Sequence, residues 1–412
     1  IVTVFGIMNE SEVACKTQMK PQKYLGKKGL VILIALLSAF IPLSTDLYLP
    51  ALPGMAENFQ APVSLMNLTL VVFFVFYSFG TLFLGPLSDK YGRKPILIIG
   101  LAIYIASSIL CSLANNVYYL IVWRIFQAIG SGAATSVSMA IIKDSFYGRE
   151  RVSALALVQS MIAVAPVIAP MIGAQVLYFT SWRGVFWSLA AIGLISFLGV
   201  LFLEETIDER TVGNIFHSLS RLGVVLKNRG FTFLLLTFSF LNLPMMAYVS
   251  GSSYIYVNGF ELSEQIYSYF FAASASLAVI GPFIYLKLAK HFKDNTIIVT
   301  SLGIITILGL LIFLVGNLSP WVFSILMGSS TMTLSILRPP GTNLMFEQQK
   351  HDTGSVSSLM SCGMTLMGSL GMIVVSLDWE NRIFVVGILL AVVALVCLCL
   401  WTVSKSIIKH VQ

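Results

Sequence analysis

The chain has 412 residues, of which 57% are hydrophobic and only 10% are charged, and its formal net charge is +7. Soluble domains carry roughly 25% charged residues, so this composition excludes a soluble enzyme of this length, a disordered chain and a coiled coil. Apolar runs of roughly 20 residues, the length of a membrane-spanning helix, recur along nearly the whole sequence. These runs are apolar all round, which excludes the alternating strands of an outer-membrane barrel. The sequence therefore predicts an all-α, multi-pass membrane protein.

The apolar runs predict twelve spanning helices. The first run follows Lys23, Lys27 and Lys28 and is longer than the apolar region of a cleavable signal peptide. Short segments rich in Pro, Gly, Asn or charge separate the runs. The predicted helices cover residues 29–49, 65–84, 95–113, 118–141, 153–177, 184–203, 231–250, 265–286, 296–316, 321–341, 354–376 and 383–403.

A polar connection between helices 6 and 7 divides the chain into two halves. The predicted parts are an N-terminal tail (1–28), a six-helix bundle (29–203), a linker (204–230), a second six-helix bundle (231–403) and a C-terminal tail (404–412). A weak match relates residues 87–91 to residues 288–292, and both are basic turns between the second and third helices of a half. Two related halves are typical of transporters that rock around a site near the membrane midplane.

The positive-inside rule gives the orientation. With the N-terminus in the cytoplasm, 21 of the 25 Lys and Arg residues lie in cytoplasmic segments, and only Arg183 and Arg382 lie outside. Trp182, Trp321 and Trp379 fall at the outer helix ends, where an aromatic belt is expected. We therefore expect both termini to be cytoplasmic.

Three charged residues fall inside predicted spans: Asp46, Arg124 and Arg338. At about 1.5 Å per residue, Asp46 lies roughly 25 Å from the inner face and Arg124 roughly 9 Å below the outer face. Both belong to the outer half of the bilayer, so we expect them to share one aqueous cavity and to neutralise one another in part. The alternatives are a structural ion pair or an Asp46 that only caps helix 1.

Asp46 is the candidate proton carrier, because no other carboxylate or histidine falls within a predicted span. Burial of a carboxylate favours its neutral, protonated form, and a nearby cation such as Arg124 opposes this. Arg338 precedes Pro339 and Pro340, which are expected to break helix 10. We expect this arginine to reach the cytoplasmic interface.

The connection between helices 2 and 3 carries a specific motif. Residues 85–95 read GPLSDKYGRKP, which is a tight basic turn and resembles the loop 2–3 signature of the major facilitator superfamily. The resemblance implies a fold of two pseudo-symmetric six-helix bundles. It also implies that Gly85, Asp89, Gly92 and Arg93 form a latch that holds the two halves in one conformation. A carboxylate facing a helix N-terminus is a plausible physical basis for this latch.

Two further segments resemble motifs of proton-coupled members of that family. Residues 124–130 read RIFQAIG, similar to the helix 4 motif, with Ala128 in place of the usual glycine. Residues 165–173 read APVIAPMIG, similar to the helix 5 motif that marks antiporters. Its residues here are Pro166, Pro170 and Gly173, and small residues of this kind let helices pack closely.

The end of helix 1 reads STDLYLPALP over residues 44–53, which resembles the bicyclomycin-resistance-type (Bcr/CflA) branch of drug/proton antiporters. Residues 181–183 (SWR) and 354–359 (GSVSSL) also resemble that branch. Some multidrug relatives carry another acidic residue two turns earlier, where this chain has Ser38. Asp46 then works alone, which puts transport of strongly cationic drugs in doubt.

These features predict a bacterial inner-membrane antiporter that exchanges protons for a small, fairly apolar drug-like molecule. The alternative is a transporter of a metabolite such as an amino acid or sugar. A membrane enzyme is disfavoured, because the sequence lacks a metalloprotease H-E-x-x-H pair and a phosphate-binding loop. We expect a monomer in the lipid bilayer with no cofactor, metal site or nucleic-acid partner. The candidate cavity residues, each also a candidate for core or lipid contact, are Tyr48, Phe73, Tyr77, Met245, Met246, Tyr248 and Tyr254.

Overall fold

The computed structural model describes residues 22–207, 222–349 and 353–407. Within these ranges all regular secondary structure is helical. Most of the predicted N-terminal tail, half of the linker and the last five residues of the C-terminal tail lie outside the described residues.

The first half contains eight helices. They are α1 (Gly26–Ser38), α2 (Phe40–Asp46), α3 (Leu52–Asn58), α4 (Val63–Tyr91), α5 (Arg93–Ser112), α6 (Val117–Ser145), α7 (Gly148–Phe179) and α8 (Trp182–Leu201). The predicted first span is not straight, because α1 and the chain over residues 40–58 meet at a bend of 41°. A 3₁₀ turn, Leu49–Ala51, separates α2 from α3.

The described part of the second half contains seven helices. They are α9 (Arg229–Phe240), α10 (Asn242–Ser253), α11 (Glu264–Leu288), α12 (Asp294–Val315), α13 (Pro320–Gln348), α14 (Thr353–Ser376) and α15 (Arg382–Ile407). The helices α9 and α10, with the π-helical turn Tyr254–Gly259, form one span. Side chains cap several starts: those of Asn228, Ser263 and Ser319 accept backbone N–H groups of α9, α11 and α13.

Eleven helices of the described chain are long and apolar enough to cross a membrane, and the bent pair at residues 26–58 makes twelve. The predicted all-α fold with twelve spans is thereby confirmed.

Two predicted helix ends are wrong, and proline is the reason in both cases. The helix α4 continues through Pro86 to Tyr91, so most of the predicted loop 2–3 is helical. The helix α13 continues through Pro339 and Pro340 to Gln348, ten residues beyond Arg338. A proline removes one backbone hydrogen bond, but helices packed among neighbours in a membrane protein tolerate this loss.

The two halves repeat the same close helix contact. A Cβ atom at Gly173 of α7 would lie 2.1 Å from the carbonyl oxygen of Leu47. A Cβ at Gly371 of α14 would lie 1.9 Å from the carbonyl oxygen of Leu243. Helices five and eleven of the predicted twelve thus approach helices one and seven in the same way. This repeat shows that the two six-span halves are structurally related.

The halves meet at one end of the molecule. The Asn67 side chain at the start of α4 donates a hydrogen bond of 2.8 Å to the Ser376 hydroxyl at the end of α14. The helices α7 and α11 also pack together, and the turn Leu49–Ala51 contacts α10 and α11. Asn67 lies 25 residues before Gly92, or about 37 Å along α4. We call the end carrying Gly92 the latch end and the end carrying Asn67 the distal end.

Candidate functional site

Asp46 is the last residue of α2 and is buried, with 7% of its surface exposed. The Thr45 hydroxyl lies 3.0 Å from its Oδ1 and is the hydrogen-bond donor. No ion pair of Asp46 is found within the described part of the chain. The carboxylate therefore lies inside the protein without a cation to fix its charge.

Arg124 of α6 is completely buried close to the same helix end. Its Nη1 donates hydrogen bonds to the carbonyl oxygen of Ser44 at 3.1 Å and to Oε1 of Gln127 at 2.6 Å. Its guanidinium carbon lies 4.8 Å from the ring centre of Tyr48 and 4.4 Å from that of Phe73. Cation–π contacts of this kind stabilise a desolvated arginine. Arg124 thus holds the last turn of α2 without forming an ion pair with Asp46.

A chain of polar contacts extends from Arg124 to α5. The Gln127 amide receives a hydrogen bond from Arg124 and donates one of 2.7 Å to the Ser108 hydroxyl. The hydroxyls of Ser44 and Tyr104 lie 2.7 Å apart. Arg124 and Gln127 are three residues apart, so they lie on one face of α6. The helix 4 motif therefore joins α2, α5 and α6 around the end of α2. Ser44 belongs to the motif at residues 44–53, but nothing in the sequence pattern pointed to Tyr104 or Ser108.

The antiporter-like motif lies on the face of α7 that approaches α2. Pro170 and Gly173 are buried and Pro166 is half-buried. Gly173 faces the backbone of Leu47, the residue that follows Asp46. Since α7 also packs on α11 of the other half, this motif lies close to both Asp46 and the contact between the halves.

The latch residues surround the break between α4 and α5. Gly92 has a φ of 108°, a conformation that favours glycine. Arg93 is buried, and its guanidinium lies 2.5 Å from Asp89 and 2.8 Å from Asp144. Gly85 lies within α4 and makes only ordinary contacts. All of these contacts are within the first half.

The carboxylate at the N-terminus of α5 is that of Glu205. Glu205 accepts hydrogen bonds from the backbone N–H groups of Arg93 at 3.0 Å and Lys94 at 3.2 Å. A Cβ at Gly92 would lie only 2.6 Å from Glu205 Oε2, so a larger residue there would displace this carboxylate. The motif pattern gave no sign of Glu205 or Asp144, because they lie more than 50 residues away in sequence.

The seven candidate cavity residues lie in both halves of the chain. Tyr48 and Phe73 contact Arg124, and Tyr77 belongs to the same small buried cluster as Phe73. The other four lie in the second half. Tyr248 and Tyr254 are buried, Met246 is half-buried, and Met245 lines a cleft.

That cleft lies between α9, α10, α13 and α14 and is partly open to solvent. Arg338, Asn242 and Thr342 are its polar residues, and its remaining walls are mainly apolar. Arg338 is exposed, and its Nη2 lies 3.3 Å from the Met245 sulfur. The expected helix break at Pro339 and Pro340 is wrong, since α13 continues for ten residues beyond Arg338, and the Arg338 side chain lines this cleft.

Comparison of the sequence with known proteins agrees with this architecture. A family model described as Major Facilitator Superfamily matches residues 34–372. The chain is 31% identical over 351 residues to the uncharacterized MFS-type transporter YdgK of Bacillus subtilis (strain 168), covering 83% of this chain and 87% of that protein. It is 26% identical over 270 residues to the multidrug resistance protein MdtL of Salmonella heidelberg (strain SL476), covering 65% and 68%.

Solved structures share the fold at low sequence identity. A bacterial homologue of the human lysosomal transporter Spinster, inward-facing and occupied, matches with a TM-score of 0.71 and 15% identity, covering 93% of this chain and 97% of that one. A D-xylose–proton symporter matches with a TM-score of 0.66 and 13% identity, covering 89% and 96%. At these identities the likeness concerns the fold alone.

Proposed function

The chain belongs to the major facilitator superfamily and is a multi-pass membrane transporter, and from this premise we propose that it exchanges external protons for drug-like small molecules by alternating access. The observation that carries the proposal is Asp46, a buried carboxylate without a cation partner among the described residues. Such a group can gain or lose a proton without breaking an ion pair.

We infer that the latch end faces the cytoplasm of a bacterial inner membrane. The excess of Lys and Arg in the segments at this end supports this orientation. The Asn67–Ser376 hydrogen bond then joins the halves on the outer side. This contact supports an inward-facing state, with the five parts of the chain arranged as two bundles, a linker and two cytoplasmic tails.

The position of Asp46 suggests how a proton affects the halves. Three residues after Asp46, the turn Leu49–Ala51 contacts α10 and α11 of the other half. On the first-half side, Gly173 of α7 packs against Leu47, and Arg124 holds the Ser44 carbonyl. A change in charge at Asp46 therefore occurs where the two bundles meet. A ligand or proton that binds the two states unequally shifts their populations.

A drug-like substrate is supported by the similarity to MdtL, whose name describes multidrug resistance. The motif at residues 44–53 supports the bicyclomycin-resistance-type branch. Export of a metabolite such as an amino acid or sugar by the same machinery is the alternative. Expression in a host that lacks its own efflux pumps distinguishes them: tolerance to structurally distinct antibiotics rises for a drug exporter. Unchanged tolerance across the panel rejects the drug-export proposal.

The coupling proposal is tested by replacing Asp46 with Asn in proteoliposomes. An acid-inside pH gradient is used to drive drug uptake. The transported drug is the antibiotic of the panel to which the expressing host gains the largest tolerance, and chloramphenicol is tried first. We expect D46N to abolish gradient-driven exchange while expression and folding are retained. The matched control is Asp378→Asn, because Asp378 is an exposed carboxylate at the distal end. Full gradient-driven transport by D46N would remove Asp46 from the proton pathway.

Arg124→Ala tests the second coupling residue. The change removes the donor to Ser44 and Gln127 and leaves Tyr48 and Phe73 facing a cavity. We expect exchange to lose its dependence on the pH gradient. A normal pH dependence in the variant would show that Arg124 has a structural role only.

A further inference from the structure

Arg338 is a cation in a cleft without acidic walls. The residues that line the cleft include no Asp or Glu, and Arg338 forms no ion pair in the described part of the chain. Its Nη2 contacts the Met245 sulfur at 3.3 Å, and a thioether is a weak acceptor. Most of the five N–H donors of this guanidinium are therefore free for another partner.

The position of Arg338 along α13 makes this arrangement significant. Arg338 lies 18 residues after Pro320 and ten before Gln348, or about 27 Å and 15 Å from the two helix ends. It thus lies within the helix rather than at its end. Charged residues within a span are costly, and they face water-filled cavities or mark substrate pathways.

The symmetry between the two halves relates Asn242 to Asp46. The Gly173–Leu47 contact of the first half corresponds to the Gly371–Leu243 contact of the second. Asn242 therefore takes, in the second half, the place that Asp46 has in the first. Asn242 lines the Arg338 cleft, and its amide donates a hydrogen bond of 2.7 Å to the Met364 carbonyl. The cleft thus has an uncharged amide where the other half has a carboxylate.

The residues that line the cleft indicate which other chemical groups a bound anion carries. Met245, Met345 and Met364 line the cleft together with Phe238 and three leucines, Leu241, Leu334 and Leu337. Methionine is flexible and polarizable, so it adapts to apolar groups of different shapes. Apolar walls with a few polar groups at one point are typical of small-molecule sites.

We propose that this cleft is a binding subsite for amphipathic organic anions. The carboxylate or sulfonate of the ligand pairs with the Arg338 guanidinium, whose planar fork matches two oxygens. The apolar body of the ligand packs against Met245 and Met364, the two cleft methionines that are only half-buried. The inference deepens the proposed function by naming a substrate class, and it rests on that function only for the claim that the bound anion is also transported.

The test measures binding without a proton gradient, so that it is independent of coupling. The probes are 1-naphthoate, 1-naphthalenemethanol and 1-naphthylmethylamine, which share one ring system and differ in charge. Equilibrium dialysis against the purified full-length protein gives three dissociation constants. The variants are Arg338→Gln and Arg338→Lys, with Arg229→Gln as control, because Arg229 is an exposed arginine of the same half outside the cleft.

We expect naphthoate to bind more tightly than the alcohol and the amine. A charge-assisted contact of this kind corresponds to roughly a 10- to 100-fold change in affinity, so R338Q should lose that much for naphthoate and almost nothing for the alcohol. R338K should keep part of the preference, and R229Q should keep all of it.

Unchanged naphthoate affinity in R338Q, or a preference of the wild type for the amine, would overturn the proposal. An equal loss for all three probes would also overturn it, since it would assign Arg338 a structural role. If D46N no longer exchanges protons for drug but still binds naphthoate through Arg338, both the proton role of Asp46 and the Arg338 subsite are supported. Full D46N exchange with intact binding rejects only the proton role of Asp46.

Discussion

Replacing Gly173 by alanine tests how closely α7 must approach the end of α2. The added Cβ would lie 2.1 Å from the Leu47 carbonyl oxygen, and the two helices must separate until this distance reaches at least 3.0 Å. The obstacle is backbone, so no side-chain rotation relieves it. Overpacking of this kind costs about 1–3 kcal/mol, and the helix-forming advantage of Ala over Gly returns only about 0.5–1 kcal/mol. We expect a net destabilisation of about 1–2 kcal/mol.

The control is Gly303→Ala in α12, because a Cβ at Gly303 has no atom within 4 Å. It should be neutral or should stabilise by up to about 1 kcal/mol. Equilibrium unfolding in SDS and dodecylmaltoside micelles, followed by circular dichroism, gives both free energies. Drug/proton exchange should also fall in G173A, since the helix separation occurs next to Asp46. Equal stability of the two variants would show that the close contact does not constrain α7.

Two other contacts give measurable predictions. Glu205→Gln removes a negative charge from the N-terminus of α5 and should lower the free energy of unfolding by about 0.3–1 kcal/mol. Equilibrium unfolding at low and high salt measures this difference. Equal stability of the variant and the wild type would argue against a helix-dipole role. Asn67→Ala and Ser376→Ala remove one hydrogen bond at the distal end. A double-mutant cycle should show a coupling energy of about 0.6 kcal/mol, whereas additive losses would show that this bond does not help to join the halves.

Proline and glycine positions show where local sequence rules stop. A proline predicts a helix end because it removes a hydrogen bond and clashes with the preceding turn. Pro86 and Pro339 both lie within continuous helices. Packing against neighbouring helices outweighs the local cost, and neighbours are not visible in a short sequence window. The sequence predicted a turn in the segment that contains Gly92, but only the structure shows that Gly92 makes room for Glu205.

The sequence by itself determined the membrane class and the all-α fold, and it singled out Asp46 and Arg124 as rare charges within spans, because a bilayer excludes charge at nearly every other spanning position. The tertiary structure decided which groups meet. Asp46 and Arg124 lie at one helix end without an ion pair, and Arg338 lines a cleft between four helices. Partners of a side chain depend on helix packing between distant segments. A difference of one residue turns a side chain by about 100° around its helix, and composition does not record that direction.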